Sequence, residues 1–207
     1  MPEAPKGDAL DNGSNDAEEQ LAHSRPYSAL VTLEGTAAIL FHRWSCEDVE
    51  AKQKAAKNSK AKKSDNVEAY ISRTPEGEIA IPGEYLRQSI IHAAKYRQDP
   101  RSPRKSAMDM YKAGVVSLTE LASLGTAKWD YLDQRRVTVQ RSGVTRIRPA
   151  MLPGWRATFE LQVLLPEYIG AQDLLSVITD AGRLIGLADF RPTYGRFQAI
   201  KYEVLNS

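Results

Sequence analysis

Residues 155–165 read Trp155-Arg156-Ala157-Thr158-Phe159-Glu160-Leu161-Gln162-Val163-Leu164-Leu165, and their alternation decides the fold class. Trp155, Ala157, Phe159, Leu161, Val163 and Leu165 fall on one side of an extended chain. Arg156, Thr158, Glu160 and Gln162 fall on the other, so the segment predicts a strand with one buried face. Pro166 closes it. Downstream, Leu174, Ile178, Ala181 and Ile185 recur at helical spacing, and Gly186 is placed to end that helix in a left-handed turn. A polar loop then leads into a last strand, Phe197 to Leu205.

Upstream the same logic gives an alternating strand from Tyr27 to Leu33 and, after Gly35, a strand-like apolar run from Ala37 to Trp44. Val67–Arg73 and Glu78–Ile81, joined by Pro75-Glu76-Gly77, read as a hairpin. A helix is expected from Glu84, with Leu86, Ile90, Ile91 and Ala94 on one face, stopping before Pro100. A basic loop (Arg97, Arg101, Arg104, Lys105) follows. Short strands are expected at Lys112–Leu118 and Arg136–Gln140. Two helices dividing the strands in this way predict an α+β, ferredoxin-like antiparallel sheet, with both helices on one face and the other free for a ligand.

Composition sets limits on function. No apolar run reaches the roughly 18 residues that span a membrane, and no basic-then-apolar signal opens the chain, which predicts a cytoplasmic protein. Cys46 is the sole cysteine among 207 residues, so no disulfide closes within the chain and a thiolate-rich zinc site is excluded. The net charge of +2 conceals an asymmetry. Residues 1–24 carry six acids (Glu3, Asp8, Asp11, Asp16, Glu18, Glu19) against Lys6 alone and predict a disordered acidic tail. Residues 25–207 therefore carry +7 and are expected to form a single domain, interrupted at 45–66 by a lysine-rich excursion (Lys52, Lys54, Lys57, Lys60, Lys62, Lys63).

Two stretches concentrate candidate binding residues. Residues 134–159 hold Arg135, Arg136, Arg141, Arg146, Arg148 and Arg156 without one acid, so no local carboxylate is available to neutralise them. A guanidinium can grip a phosphate through two hydrogen bonds and can stack on a base. Arg146 and Arg148 alternate and are expected to project to the same side. The second stretch is Gly186-Leu187-Ala188-Asp189-Phe190-Arg191-Pro192-Thr193-Tyr194-Gly195-Arg196-Phe197, where aromatic rings interleave with arginines as in single-strand recognition. Arg191, Tyr194 and Arg196 are its candidate contacts, and Phe197 is expected in the core.

For catalysis the sequence offers little. No HExxH, GxSxG, paired-carboxylate or phosphate-loop motif is present. Of three histidines, His23 lies in the tail, His92 sits beside an apolar helix face where packing is the expected role, and His42 follows the first strands. No catalytic residue, cofactor or metal is expected.

Three features together resemble the RAMP superfamily, the RNA-recognition-motif-like proteins of CRISPR effector complexes. They are the strand ending in Ile39-Leu40-Phe41-His42-Arg43, the helix entry Ile81-Pro82-Gly83-Glu84-Tyr85-Leu86-Arg87, and the glycine-containing loop 186–197. The plan is most similar to the backbone subunit, spanning about residues 27–205. The resemblance implies a non-catalytic subunit that cradles a small guide RNA and self-associates along it, with a complementary target strand as a further partner. His42, Arg43, Arg135, Arg136, Arg141, Arg146, Arg148, Arg191, Tyr194 and Arg196 would then be its RNA contacts. Two alternatives stand beside it: a RAMP-type endoribonuclease processing repeat RNA, for which His42 is the residue to test, and a phage structural or assembly protein.

Overall fold

The computed structural model describes residues 25–43, 54, 66–139 and 142–205. The expected acidic tail, most of the 45–66 excursion and Arg141 lie outside the described residues. Twelve strands and three α-helices follow one another in these segments. They are β1 (Tyr27–Gly35), β2 (Ile39–Leu40), β3 (Ser72–Arg73), β4 (Ile79–Pro82), α1 (Gly83–Ala94), β5 (Gln98–Asp99), β6 (Ser102–Ser106), α2 (Met108–Gly114), β7 (Val115–Ser117), β8 (Leu121–Ser123), β9 (Tyr131–Val139), β10 (Ser142–Met151), β11 (Arg156–Val163), α3 (Ala171–Asp180) and β12 (Phe197–Leu205).

The central sheet has the order β12-β1-β11-β7, with β1 antiparallel to β11 and β12, and β11 antiparallel to β7. With α1 between β1 and β7 in sequence and α3 between β11 and β12, this is the ferredoxin-like arrangement that the periodicity predicts. The alternation in 155–163 translates directly. Ala157, Phe159, Leu161 and Val163 are buried beside Ala29, Val31 and Leu33 of β1, and the helices cover them with Leu86, Ile90, Leu174, Val177 and Ile178. Each such large side chain contributes about 1.5–3 kcal/mol by leaving water. Trp155 closes one end of this core and donates its indole N–H to the Ala37 carbonyl at 2.9 Å.

The Ile81-Pro82-Gly83 entry has a steric reason. The Gly83 amide bonds the Glu120 carbonyl at 2.9 Å, and a Cβ at Gly83 would stand 1.9 Å from the Thr119 carbonyl oxygen. Only glycine lets the first turn of α1 lie this close to the segment that feeds β8.

Several boundaries depart from expectation. Of the 37–44 run, the described residues 37–43 form only the two-residue β2, because Ala37 and Ala38 give their backbone groups to Arg196 and Gly195 instead of to a strand ladder. A 3₁₀ turn at Glu68–Tyr70 replaces the first half of the expected 67–73 strand. Lys112, Ala113 and Gly114 finish α2, and the strand expected there is confined to Val115–Ser117. The basic loop after α1 contains the β5–β6 hairpin, in which Arg97 pairs with Asp180 and Arg101 with Asp99. His92 is exposed rather than packed, because it faces away from the side of α1 that carries Ile90, Ile91 and Ala94. Strand β9 begins earlier than expected and pairs along its length with β10, forming a long hairpin whose base joins β2. No helix among the described residues is long and apolar enough to cross a membrane.

Candidate nucleic-acid interface

After α3 the chain makes a π-turn (Ala181–Ile185), passes Gly186 at φ 80°, and enters the loop that ends at Arg196. This loop closes on itself, with the Leu187 amide bonding the Gly195 carbonyl at 2.8 Å. Gly195 has φ 73°, and a Cβ there would stand 1.9 Å from the Leu187 carbonyl oxygen, so the closure requires glycine. Two bonds anchor the loop to the chain around β2: Asp189 N–H to Leu40 O at 3.1 Å, and Gly195 N–H to Ala38 O at 2.8 Å. Ala188 and Phe190 are held at φ 60° and 58°, a conformation that non-glycine residues adopt at a cost and that concentrates at functional segments.

The anchoring brings the two arginine-bearing stretches together. In the β9–β10 register, Arg135 lies opposite Arg146 and Asp133 opposite Arg148, so these four side chains share one face of the hairpin. That face meets the loop. The Arg135 guanidinium carbon lies 4.6 Å from the Tyr194 ring centre and 5.6 Å from that of Phe190, and Arg135 donates a hydrogen bond to the Tyr194 hydroxyl. Arg148 lies 5.0 Å from the Phe190 ring. Phe190 and Tyr194 meet edge to face at 6.5 Å. The result is a cluster of stacked guanidinium and aromatic planes, the chemistry on which bases stack and phosphates pair.

Beneath it, Arg148 is only 5% exposed, with Nε 2.6 Å from Asp189 Oδ2, while its Nη1 is buried without a hydrogen bond. His42 approaches the same carboxylate oxygen through Nδ1 at 3.5 Å, and its ring packs edge-on to Tyr70 at 4.5 Å. Burial works to raise the Asp189 carboxyl, but the hydrogen bond with His42, the charge of Arg148 and the Phe190 amide together hold it below its ordinary value. Asp189 is thus an ionised hub joining hairpin, loop and β2. Two clefts share Ala188, Asp189 and Arg191. One, of about 300 Å³, adds His42, Tyr85 and Gln88, and the other, of about 510 Å³, adds His92, Lys95, Tyr96 and Phe190. Burial raises the Tyr85 hydroxyl, against the opposing charges of Arg43 and Arg191.

The structure therefore gathers His42, Arg135, Arg148, Arg191 and Tyr194 around one loop, with Arg146 opposite Arg135 on the hairpin. Arg136 occupies the other face of the hairpin and is exposed, and Arg43 and Arg196 are exposed beside the cluster. One sequence expectation is corrected. The arginines of 134–159 do have acidic partners, supplied by Asp133 for Arg135, by Asp189 for Arg148 and by Glu34 for Arg156. Arg146 and Arg148 do share one face of the hairpin, as their alternation predicts, but Arg148 is buried because Asp189 and Phe190 close over it. Asp189, Phe190, Tyr85 and Gln88 escaped the candidate set. A lone acid in an arginine-rich loop was the available signal for Asp189, whereas Tyr85 and Gln88 join the site through tertiary contact alone.

No family model matches the chain, and no curated protein matches it in sequence. Among solved structures, it is similar to a chain of the type III-B Cmr-beta complex bound to cognate target RNA, with a TM-score of 0.52 and 12% identity, covering 95% of this chain and 68% of that one. The two chains share the ferredoxin-like fold. At this identity the likeness bears on the fold alone, and the side-chain cluster is this chain's own evidence.

Proposed function

We propose that this protein is an RNA-binding subunit, without catalysis of its own, that holds a single-stranded guide RNA across the 186–196 loop and the β9–β10 hairpin and self-associates along it. Guide bases that are not stacked on the protein would remain available to a complementary target strand. The observation that carries this reading is the Arg135–Tyr194–Phe190–Arg148 stack, built on a strained loop beside the exposed Arg191 and Arg196. Stacked rings take bases of any sequence, and flanking guanidiniums take phosphates, which suits an RNA defined by its strand rather than by its bases. The ferredoxin-like scaffold of a Cmr-beta chain supports the same reading by analogy of fold.

Anisotropy with a labelled single-stranded RNA tests it. Sub-micromolar binding is expected, falling steeply with salt. Arg191→Glu combined with Arg196→Glu should weaken binding by at least about tenfold, and Tyr194→Ala by about tenfold. Unchanged affinity in both variants would remove this surface from consideration.

One observation favours a second reading. His42 stands 3.5 Å from an ionised Asp189, a pairing that can orient an imidazole for proton transfer in a metal-independent ribonuclease. Incubation of repeat-containing RNA in chelator separates the two: cleavage lost in His42→Ala supports the enzyme, and intact RNA in the wild type supports the binding subunit.

A further inference from the structure

Strand β12 ends the central sheet. It pairs with β1 along one edge, and no described residue pairs with its other edge. An unpaired edge of nine residues is a ready template for a further strand, and native edges are ordinarily blunted by proline, shortness or inward-pointing charge. In β12 the devices are a bulge near Ile200, where the register with β1 shifts, and Lys201. From Lys201 to Leu205 the register with β1 is regular. The strand also carries an exposed apolar set, with Ile200 44% and Val204 39% exposed.

We propose that β12 pairs antiparallel with β12 of a second copy, about a two-fold axis at Tyr202, joining two sheets into one. The choice of partner rests on self-complementarity. With Tyr202 opposite its own copy, Lys201 faces Glu203 twice, and Ile200 faces Val204 twice. A shift of the axis to residue 201 sets lysine against lysine, and a shift to residue 203 sets glutamate against glutamate. Opposite charges directly across an antiparallel pair stabilise it and like charges oppose it, so one register is selected. Lys201 and Glu203 already lie 3.0 Å apart within the strand, on the open side of the sheet opposite Thr32 and Leu30. Two copies would place four such charges in one alternating row. The lysine that deters a foreign strand thereby becomes the element that recognises its own.

This contact is independent of RNA. It is isologous and closes at two copies, whereas growth along a strand of RNA requires a head-to-tail contact that does not close. It therefore stands whether or not the RNA reading does.

Sedimentation velocity of nucleic-acid-free, full-length protein over a concentration series provides the test. A monomer–dimer equilibrium is expected. Lys201→Glu alone, or Glu203→Lys alone, converts both charged pairs to repulsions and should raise the dimer Kd by about tenfold. The double variant restores opposite charges and should return to the wild-type Kd. Mixing the two single variants should give a heterodimer, which also verifies that each is folded. A monomer at every concentration, a dimer indifferent to the single reversals, or a double variant as weak as the singles would each overturn the proposal.

Discussion

The open face of the sheet and the loop 186–196 are both polar and rich in charge, yet they are built on opposite plans. On the sheet, charges are matched by neighbours across the ladder: Arg156 with Glu34, Gln198 with Glu34, and Thr32 with Thr158. Every partner is one strand away, and the backbone beneath is regular. On the loop, partners are brought from β2 and the β9–β10 hairpin onto a backbone held in left-handed conformations, with a guanidinium buried beneath them. The first arrangement satisfies itself. The second gathers cations and ring faces and leaves Arg191 and Arg196 exposed, which is the difference between a surface that is merely solvated and one prepared for a polyanion.

The comparison breaks first at the shared foundation. Phe159 is fully buried at the middle of β11, and Phe159→Ala should cost about 3–5 kcal/mol in urea unfolding, through lost transfer energy and the cavity left behind. Such a loss removes both faces together. Asp189→Ala should act on one of them. It leaves Arg148 buried without its ion-pair partner, and we expect a cost of about 3 kcal/mol together with weakened RNA binding. Replacing the pair jointly, Arg148→Met with Asp189→Leu, should recover most of the stability and none of the binding. That outcome would show that the pair serves the loop's shape for a ligand and not the fold. Asp189 also carries a pH signature. Its carboxyl is depressed in the folded state, so its stabilisation is complete above the ordinary carboxylate range near pH 4 and is lost as pH falls through the lower folded value. In Asp189→Asn that part of the acid-limb slope should vanish.

The same contrast explains what could be read from sequence. Period-2 alternation in 155–163 and 27–33, and the helical spacing of Leu174 and Ile178, are local signals that report burial directly, and they gave the sheet, α1, α3 and β12. Gly186 and the arginine-aromatic loop were also legible, because the unusual residues sit together in the chain. Most failures at the site involve partners distant in sequence, although Asp133, the partner of Arg135, stands only one position outside the acid-free window. Asp189 lies 41 positions from Arg148, and Tyr194 lies 59 from Arg135, so an acid-free window of sequence could not reveal that its arginines were paired. Strand β2 failed for the same reason, because backbone groups that periodicity assigns to a ladder are claimed by a loop from the far end of the chain.

Gly195→Ala sharpens the comparison at a middle scale. A methyl group there must displace the Leu187 carbonyl in a left-handed position, and we expect a cost of about 2 kcal/mol in urea unfolding and a proportionate loss of RNA affinity. The smallest effect belongs to Arg156→Ala. The Arg156–Glu34 pair is largely solvated, so the unfolding midpoint should stay within error of the wild type. What should move is the Glu34 carboxyl. Hydrogen bonds from Arg156 and Gln198 hold it below its usual value, and an NMR titration of the variant should show it rising toward the ordinary range. RNA affinity is the deciding readout. A self-matched face has no spare cation to offer, so binding should be unchanged. A loss comparable to that of Arg191→Glu would mean that the RNA crosses the sheet, and that the matching of charges on that face is undone when the strand arrives.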